Sequence, residues 1–210
     1  QAAVDRFCED YETGKRETYL IHGVTGSGKT EVYMELMARV LRDGKQVILL
    51  IPEISLTYQT VMRFYRRFGD QIAILNSRLS AGERYDQWER AARGEVSVMI
   101  GPRSALFAPF SNLGLILIDE EHEGAYKSET MPRYHAREVA AERARLSGAS
   151  LVLGSATPSL ESYLRAQNGE YVLLPLHHRA VAGSILPKVQ NADMRAEMQA
   201  GNKSGFSRTL

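Results

Sequence analysis

Cysteine is nearly missing from this chain of 210 residues, where Cys8 stands alone. That excludes a disulfide framework and a four-cysteine zinc site within these residues. A reducing compartment, as in a cytoplasm, is expected. Cys8 itself reads as an ordinary residue of a first helix. Charge of one sign is missing too, since 26 Lys and Arg face 25 Asp and Glu. This balance excludes a strongly basic coat for nucleic acid and leaves room for a local basic groove. No run approaches the ~20 consecutive apolar residues of a membrane span, so no membrane partner is expected. The opening Gln1-Ala2-Ala3-Val4-Asp5-Arg6 has neither a signal-peptide layout nor an initiating Met, and the chain is expected to be a piece of a longer protein. Its length suffices for one α/β domain with a full core and a remainder.

What is present is a glycine loop in a telling context. Gly23-Val24-Thr25-Gly26-Ser27-Gly28-Lys29-Thr30 fits G-x-x-x-x-G-K-[ST] at every fixed position. Thr18 to His22 reads as a short apolar strand before it. Glu31 to Arg42 reads as a helix after it, with apolar pairs at Val32/Tyr33, Leu36/Met37 and Val40/Leu41 forming one buried stripe. Glycines let backbone N–H groups turn inward around phosphate oxygens, and the helix N-terminus adds its positive dipole end. Lys29 is placed to reach the β- and γ-phosphates, and the Thr30 hydroxyl to ligate Mg²⁺. The competing reading is a strand-to-helix turn that binds nothing; agreement of pattern and context weighs against it.

Apolar runs alternate with helical patterns along the rest of the chain. Residues 1–12 read as a helix, 12–17 as a polar connector, and Gln46 to Ile51 as a strand ended by Pro52. A helix is predicted from Ser55 to Phe68 and a strand from Ile72 to Leu75. Ser80 and Glu83 resemble a capping box opening a helix to about Arg93. Strands follow at Val96 to Ile100, Leu115 to Ile118, Leu151 to Leu153 and Tyr171 to Leu174, with helices from His135 to Leu146 and from Ser159 to Gln167. This order means crossover units and a mainly parallel sheet flanked by helices, with ligands at the carboxyl ends of the strands. The expected domains are an N-terminal helix and connector (1–17), the nucleotide-binding unit (18–175) and a linker (176–210).

Asp119-Glu120-Glu121-His122 follows the strand at Leu115 to Ile118. Acids at the end of a buried strand beside a phosphate loop form a Walker B arrangement. Asp119 would hold Mg²⁺ through water, and Glu120 would orient or deprotonate the attacking water. A second acid placed for water argues for hydrolysis over a small-molecule kinase. The bland alternative is a solvated acidic turn.

Together, Gly23 to Thr30, the Asp-Glu-Glu-His box at 119–122 and Ser155-Ala156-Thr157 resemble the first RecA-like lobe of superfamily 2 helicases, a three-layer P-loop NTPase fold. The runs Pro52-Glu53-Ile54-Ser55-Leu56-Thr57, Arg103 to Phe110 and Gly154 to Glu161 resemble, more narrowly, the PriA family of bacterial replication-restart helicases. The likeness covers about residues 1 to 190. Pro102, Ser55 to Thr60 and Asn76-Ser77-Arg78 depart from the family's usual residues.

The resemblance implies an ATP-driven 3′-to-5′ DNA translocase acting at forks. It implies that Gly23, Val24, Thr25, Gly26, Ser27, Gly28, Lys29 and Thr30 hold the triphosphate, and that Asp119 and Glu120 work on Mg²⁺ and water. His122 would link hydrolysis to movement, and Glu121, Ser155, Ala156 and Thr157 would couple the nucleotide site to DNA. Pro52, Glu53, Ser55 and Thr57 match one DNA-contacting motif, and Arg103 and Ser104 the next. Tyr126, Lys127, Arg133, Tyr134 and Arg137 match an aromatic-rich loop; rings interleaved with cations also suit single-stranded DNA on physical grounds. Two tyrosines packed onto the lobe are the equal alternative. The implied partners are single-stranded and forked DNA, primosome proteins, single-stranded-DNA-binding protein, a replicative helicase loader and a second helicase lobe in cis. Zinc is expected only in other parts of the parent protein. Another superfamily 2 translocase and a docking module without turnover are the competing functions.

Some residues are set aside. His22 reads as packing or a loop contact, and His177 and His178 make no metal site with one distant cysteine. Arg63, Arg66 and Arg67 read as a solvated helix face, and Trp88 as core.

Overall fold

The apolar runs form strands because each is covered on both faces, which leaves no position for a charge. In a computed structural model, described over residues 1–180 and 191–208, these strands are β1 (Thr18–Gly23), β2 (Gln46–Leu50), β3 (Ile72–Ile74), β4 (Val98–Gly101), β5 (Leu113–Asp119), β6 (Ser150–Ser155) and β7 (Val172–Leu176). They build one sheet in the order β3-β4-β2-β5-β6-β1-β7. All its ladders are parallel. The helices between them are α1 (Ala2–Glu12), α2 (Lys29–Arg42), α3 (Tyr58–Phe68), α4 (Ala81–Ala92), α5 (Ala136–Ser147) and α6 (Leu160–Gln167).

The strands' period of two divides the core into two layers. Leu20, Ile48, Ile116 and Leu153 join the alanines of α5, while Tyr19, Leu49, Leu117 and Val152 join Phe7 of α1 and Leu36 and Met37 of α2. Small residues on α5 (Ala136, Ala140, Ala144) let that helix lie close to the sheet.

Several boundaries differ by a few residues from the sequence reading, two of them for a clear local reason. The helix expected from Ser55 starts only at Tyr58, because Glu53–Ser55 forms a 3-10 turn and the Thr57 side chain accepts the Thr60 N–H as cap. The last strand runs through Pro175 to Leu176; β7 is an edge, where a residue without an N–H costs no ladder bond. The Ser80 capping box forms as read, with both reciprocal bonds present. Trp88 is only partly buried against the core.

The chain divides into two compact units, Gln1–Ala180 and Val181–Leu210. In the second, Asp193 caps a short helix, α7 (Met194–Gln199). Part of the expected linker, residues 181–190, lies outside the described residues. No helix among the described residues is long and apolar enough to cross a membrane.

Parallel pairing fixes the level at which the strands end. Asp119 pairs with Gly154, and His22 with Ser155. The loop after β1, the acids after β5 and the Ser-Ala-Thr turn after β6 therefore meet at one edge of the sheet.

Candidate active site

The glycine loop forms a concavity of backbone donors. Gly26 and Gly28 have φ of 80° and 88°, where a side chain would be strained, and Gly28 stands as N-cap of α2 without a side-chain cap bond. Alternating backbone handedness of this kind aims N–H groups at an anion. Gly23 is packed so tightly that a Cβ there would lie 2.5 Å from Ser27 Oγ. That Oγ is buried without a hydrogen-bond partner among the described residues. Lys29, the first residue of α2, is only 9 % exposed and donates from Nζ to the Gly23 carbonyl at 3.0 Å. A buried cation resting on a backbone carbonyl, an orphaned hydroxyl and uncapped helix N–H groups fit the chemistry of a polyphosphate.

The carboxylates stand opposite. Burial pushes the Asp119 carboxyl above its ordinary pKa; Glu120 adds to this, while Tyr33 and Lys29 oppose it. Tyr33 Oη donates to Asp119 Oδ1 at 2.9 Å, and Tyr126 Oη to the Asp119 backbone carbonyl at 2.7 Å. Glu120 takes φ of 45°, the single non-glycine positive value among the described residues. Such strain concentrates where function needs a particular side-chain direction. Here it brings Glu120 Oε1 within 3.7 Å of Lys29 Nζ and Oε2 within 3.8 Å of His122 Nδ1.

Beyond the acids, His122 Nδ1 lies 2.8 Å from Ser155 Oγ, and Nε2 lies 3.4 Å from Thr157 Oγ1. The Thr157 N–H donates to the same Ser155 Oγ at 2.9 Å, so Ala156 spans a closed turn. Glu121 faces inward: its side chain is fully buried and pairs with Arg137 Nη1 at 2.8 Å. It also accepts from the Ser159 N–H at 2.7 Å and the Ser162 hydroxyl at 3.0 Å.

The residues assigned to DNA contact divide. Pro52, Glu53, Arg103, Ser104 and Tyr126 border one cavity of about 440 Å³, joined by Asn76 and Ser77. Glu53 accepts the Ser77 N–H there, and hydrogen bonding from the Ser77 side chain and then its backbone holds the Glu53 carboxyl below the ordinary value. Thr57 is occupied as a helix cap, and the Ser55 carbonyl accepts from Thr60. Arg103 donates to the carbonyls of Ala125 and Lys127, fixing the start of the aromatic-basic loop. Lys127 and Arg133 are exposed, and Tyr134 is half-buried, edge-on to Phe107 at 5.5 Å.

Two of these assignments need correction. Tyr126 is 1 % exposed, so its ring is not available to a base; the 3-10 turn Gly124–Tyr126 returns it beneath β5. Arg137 is turned inward as well, its Nη1 shared among Glu121, Ser159 and Ser162. Arg63 and Arg67 do not form a free cationic face either, since they pair with Glu31 and Glu35 of α2. Sequence reading missed Tyr33, taken as part of an apolar stripe, and the serines at 159 and 162. Tyr33's place four residues beyond Lys29, one turn along the same helix face, was the available signal.

Residues 5–166 match the family described as DEAD/DEAH box helicase. Replication restart protein PriA of Bacillus subtilis (strain 168) is 54 % identical over 207 residues, covering 99 % of this chain and 26 % of that protein. The protein of the same name in Synechocystis sp. is 50 % identical, covering 91 % and 24 %. The chain thus spans about a quarter of the length of these curated relatives. Among solved structures, RecG bound to a three-way DNA junction aligns with a TM-score of 0.61 at 22 % identity, covering 87 % of this chain and 24 % of that one. A DEAD box protein from the hyperthermophile Methanococcus jannaschii aligns with a TM-score of 0.58 at 17 % identity, covering 84 % and 48 %. These structural likenesses speak to the fold alone.

Proposed function

The chain belongs to the DEAD/DEAH box helicase family, and we propose that it is the ATP-binding motor lobe of a replication-restart DNA helicase that moves 3′ to 5′ on single-stranded DNA. The observation that carries this reading is the convergence of Lys29, Asp119, Glu120, His122 and Ser155 at the ends of three adjacent strands. Curated relatives named Replication restart protein PriA support the assignment to fork restart.

In this mechanism the loop Gly23–Thr30 cradles the phosphates through backbone N–H groups. Lys29 exchanges the Gly23 carbonyl for phosphate oxygens, and Thr30 and Asp119 would hold Mg²⁺, which would supply positive charge against the phosphate oxygens. Glu120 orients a water and takes its proton. Lys29 Nζ lies 3.7 Å from Glu120 Oε1, so the phosphate-binding cation and the base face one cleft. His122 bridges Glu120 to Ser155 and Thr157, so a change in the charge of Glu120 alters the hydrogen bonds of the turn after β6.

Lys127, Arg133 and Arg103 supply cations for DNA phosphates, and Tyr134 supplies a ring for a base. Pro52, Glu53, Ser55, Thr57 and Ser104 shape the same face. A second lobe in cis completes the ATP site with arginines. Forked DNA, primosome proteins, single-stranded-DNA-binding protein and a helicase loader are the partners of the whole protein in the bacterial cytoplasm and nucleoid.

The test is ATP hydrolysis by the intact protein with and without forked single-stranded DNA, beside Lys29→Ala. Stimulation by DNA that Lys29→Ala abolishes is the expected result. Hydrolysis indifferent to DNA leaves an ATPase with some other partner and rejects the motor.

A further inference from the structure

Asp119 is held by two buried tyrosine hydroxyls from different parts of the chain. Tyr126 takes its backbone carbonyl, and Tyr33 takes a carboxylate oxygen. We propose that Tyr33 is a positioning residue for the Asp119 carboxylate toward Mg²⁺, and that Gly154 lacks a side chain to let it reach. The inference rests on Asp119 being a metal-holding acid, as in the function proposed above.

Tyr33 belongs to the helix that begins with Lys29, and its ring is 2 % exposed. Core filling alone would be served by phenylalanine, because a hydroxyl in an apolar layer is costly unless it is bonded. This hydroxyl is bonded to Asp119 at 2.9 Å across a sequence separation of 86 residues. Its path is specific. A Cβ on residue 154 would stand 1.7 Å from Tyr33 Oη and 2.7 Å from its Cζ, contacts that cannot exist. Gly154 is also the residue that pairs with Asp119 across the β5–β6 ladder. The glycine that opens the passage and the acid at its end therefore lie side by side. A donor that fixes one oxygen of a metal-holding carboxylate fixes the plane of the group, the usual means by which an outer partner sets metal affinity. The phosphate loop and the metal carboxylate are thereby tied through one helix.

The experiment uses the intact protein carrying Tyr33→Phe, which keeps the ring and its packing. Binding of a fluorescent ATP analogue is measured in EDTA and then across a Mg²⁺ titration. Metal-free binding is expected to stay within about twofold of wild type, while the Mg²⁺ needed for half-maximal enhancement rises about 10-fold. In an Asp119→Asn background, Tyr33→Phe should add no further change. Wild-type Mg²⁺ dependence in Tyr33→Phe overturns the positioning role, as does an added effect without Asp119. A wild-type protein that binds nucleotide with no response to Mg²⁺ rejects the metal reading of Asp119 instead, so the two failures are distinguishable.

Discussion

Replacing Arg137 by alanine isolates one cation that the fold buries beside the acids after β5. The Glu121 side chain is 0 % exposed and that of Arg137 15 %, with Nη1 and Oε2 2.8 Å apart. Removing one partner of a buried pair costs about 3–5 kcal/mol, because the remaining charge is left in a poor solvent. Glu121 keeps three other donors, the Ser159 N–H at 2.7 Å and the hydroxyls of Ser159 and Ser162 at 3.2 and 3.0 Å. Hydrogen bonds to a charged group contribute about 1.5–3 kcal/mol each, so the loss falls at the low end, about 3 kcal/mol. For a domain of this size each kcal/mol moves Tm by about 2–4 °C, which gives a fall of about 6–12 °C. Urea and thermal unfolding followed by circular dichroism measure it. Adding Glu121→Gln to Arg137→Ala removes the stranded charge and should recover at least half of the loss. A fall under about 1 kcal/mol, the scale of an exposed ion pair, would refute the argument, as would a double variant no better than Arg137→Ala.

Two further outcomes follow from buried groups elsewhere in the lobe. Asp10 of α1 is pulled up by burial, but Arg6, Tyr19 and Lys15 outweigh this and hold its carboxyl below the ordinary value. An acid with a depressed folded pKa contributes stability above its unfolded pKa, about 3.9, which is lost as pH falls through the folded value; Asp10→Asn should therefore flatten the acid limb of a Tm-versus-pH curve and lower Tm at pH 7. Gly154→Ala drives a methyl into Tyr33 Oη and should destabilise by at least about 1–3 kcal/mol as overpacking, with a penalty that shrinks in a Tyr33→Phe background when the same unfolding assay is applied.

The glycine loop was legible because its chemistry is local. Eight consecutive residues carry the glycines, the cation and the hydroxyl, and the strand and helix around them follow from their own apolar periodicity. The carboxylates were legible for a similar reason, lying at the end of an apolar run that had to be a buried strand. Tyr126 shows where such reading stops. Next to Lys127 and near Arg133 and Tyr134, it shares their composition, yet it is buried while Lys127 is exposed. Composition records which side chains are in a loop but not which way each one faces. Arg137 failed in the same way, because the acid that claims it lies 16 residues earlier, across the sheet edge.

The sequence by itself determined the strand-and-helix alternation, the parallel sheet, the glycine loop between strand and helix and the place of the acids at a strand end, since these depend on residue type and spacing along a few turns of chain. Tertiary structure alone decided which polar groups meet. The β5–β6 register sets Asp119 beside Gly154, the missing Cβ there admits Tyr33, and the turn after β5 sends Glu120 toward Lys29 and Glu121 toward Arg137. Those pairings rest on distances between residues far apart in the chain. Packing fixes such distances to within an ångström, and no local propensity encodes them.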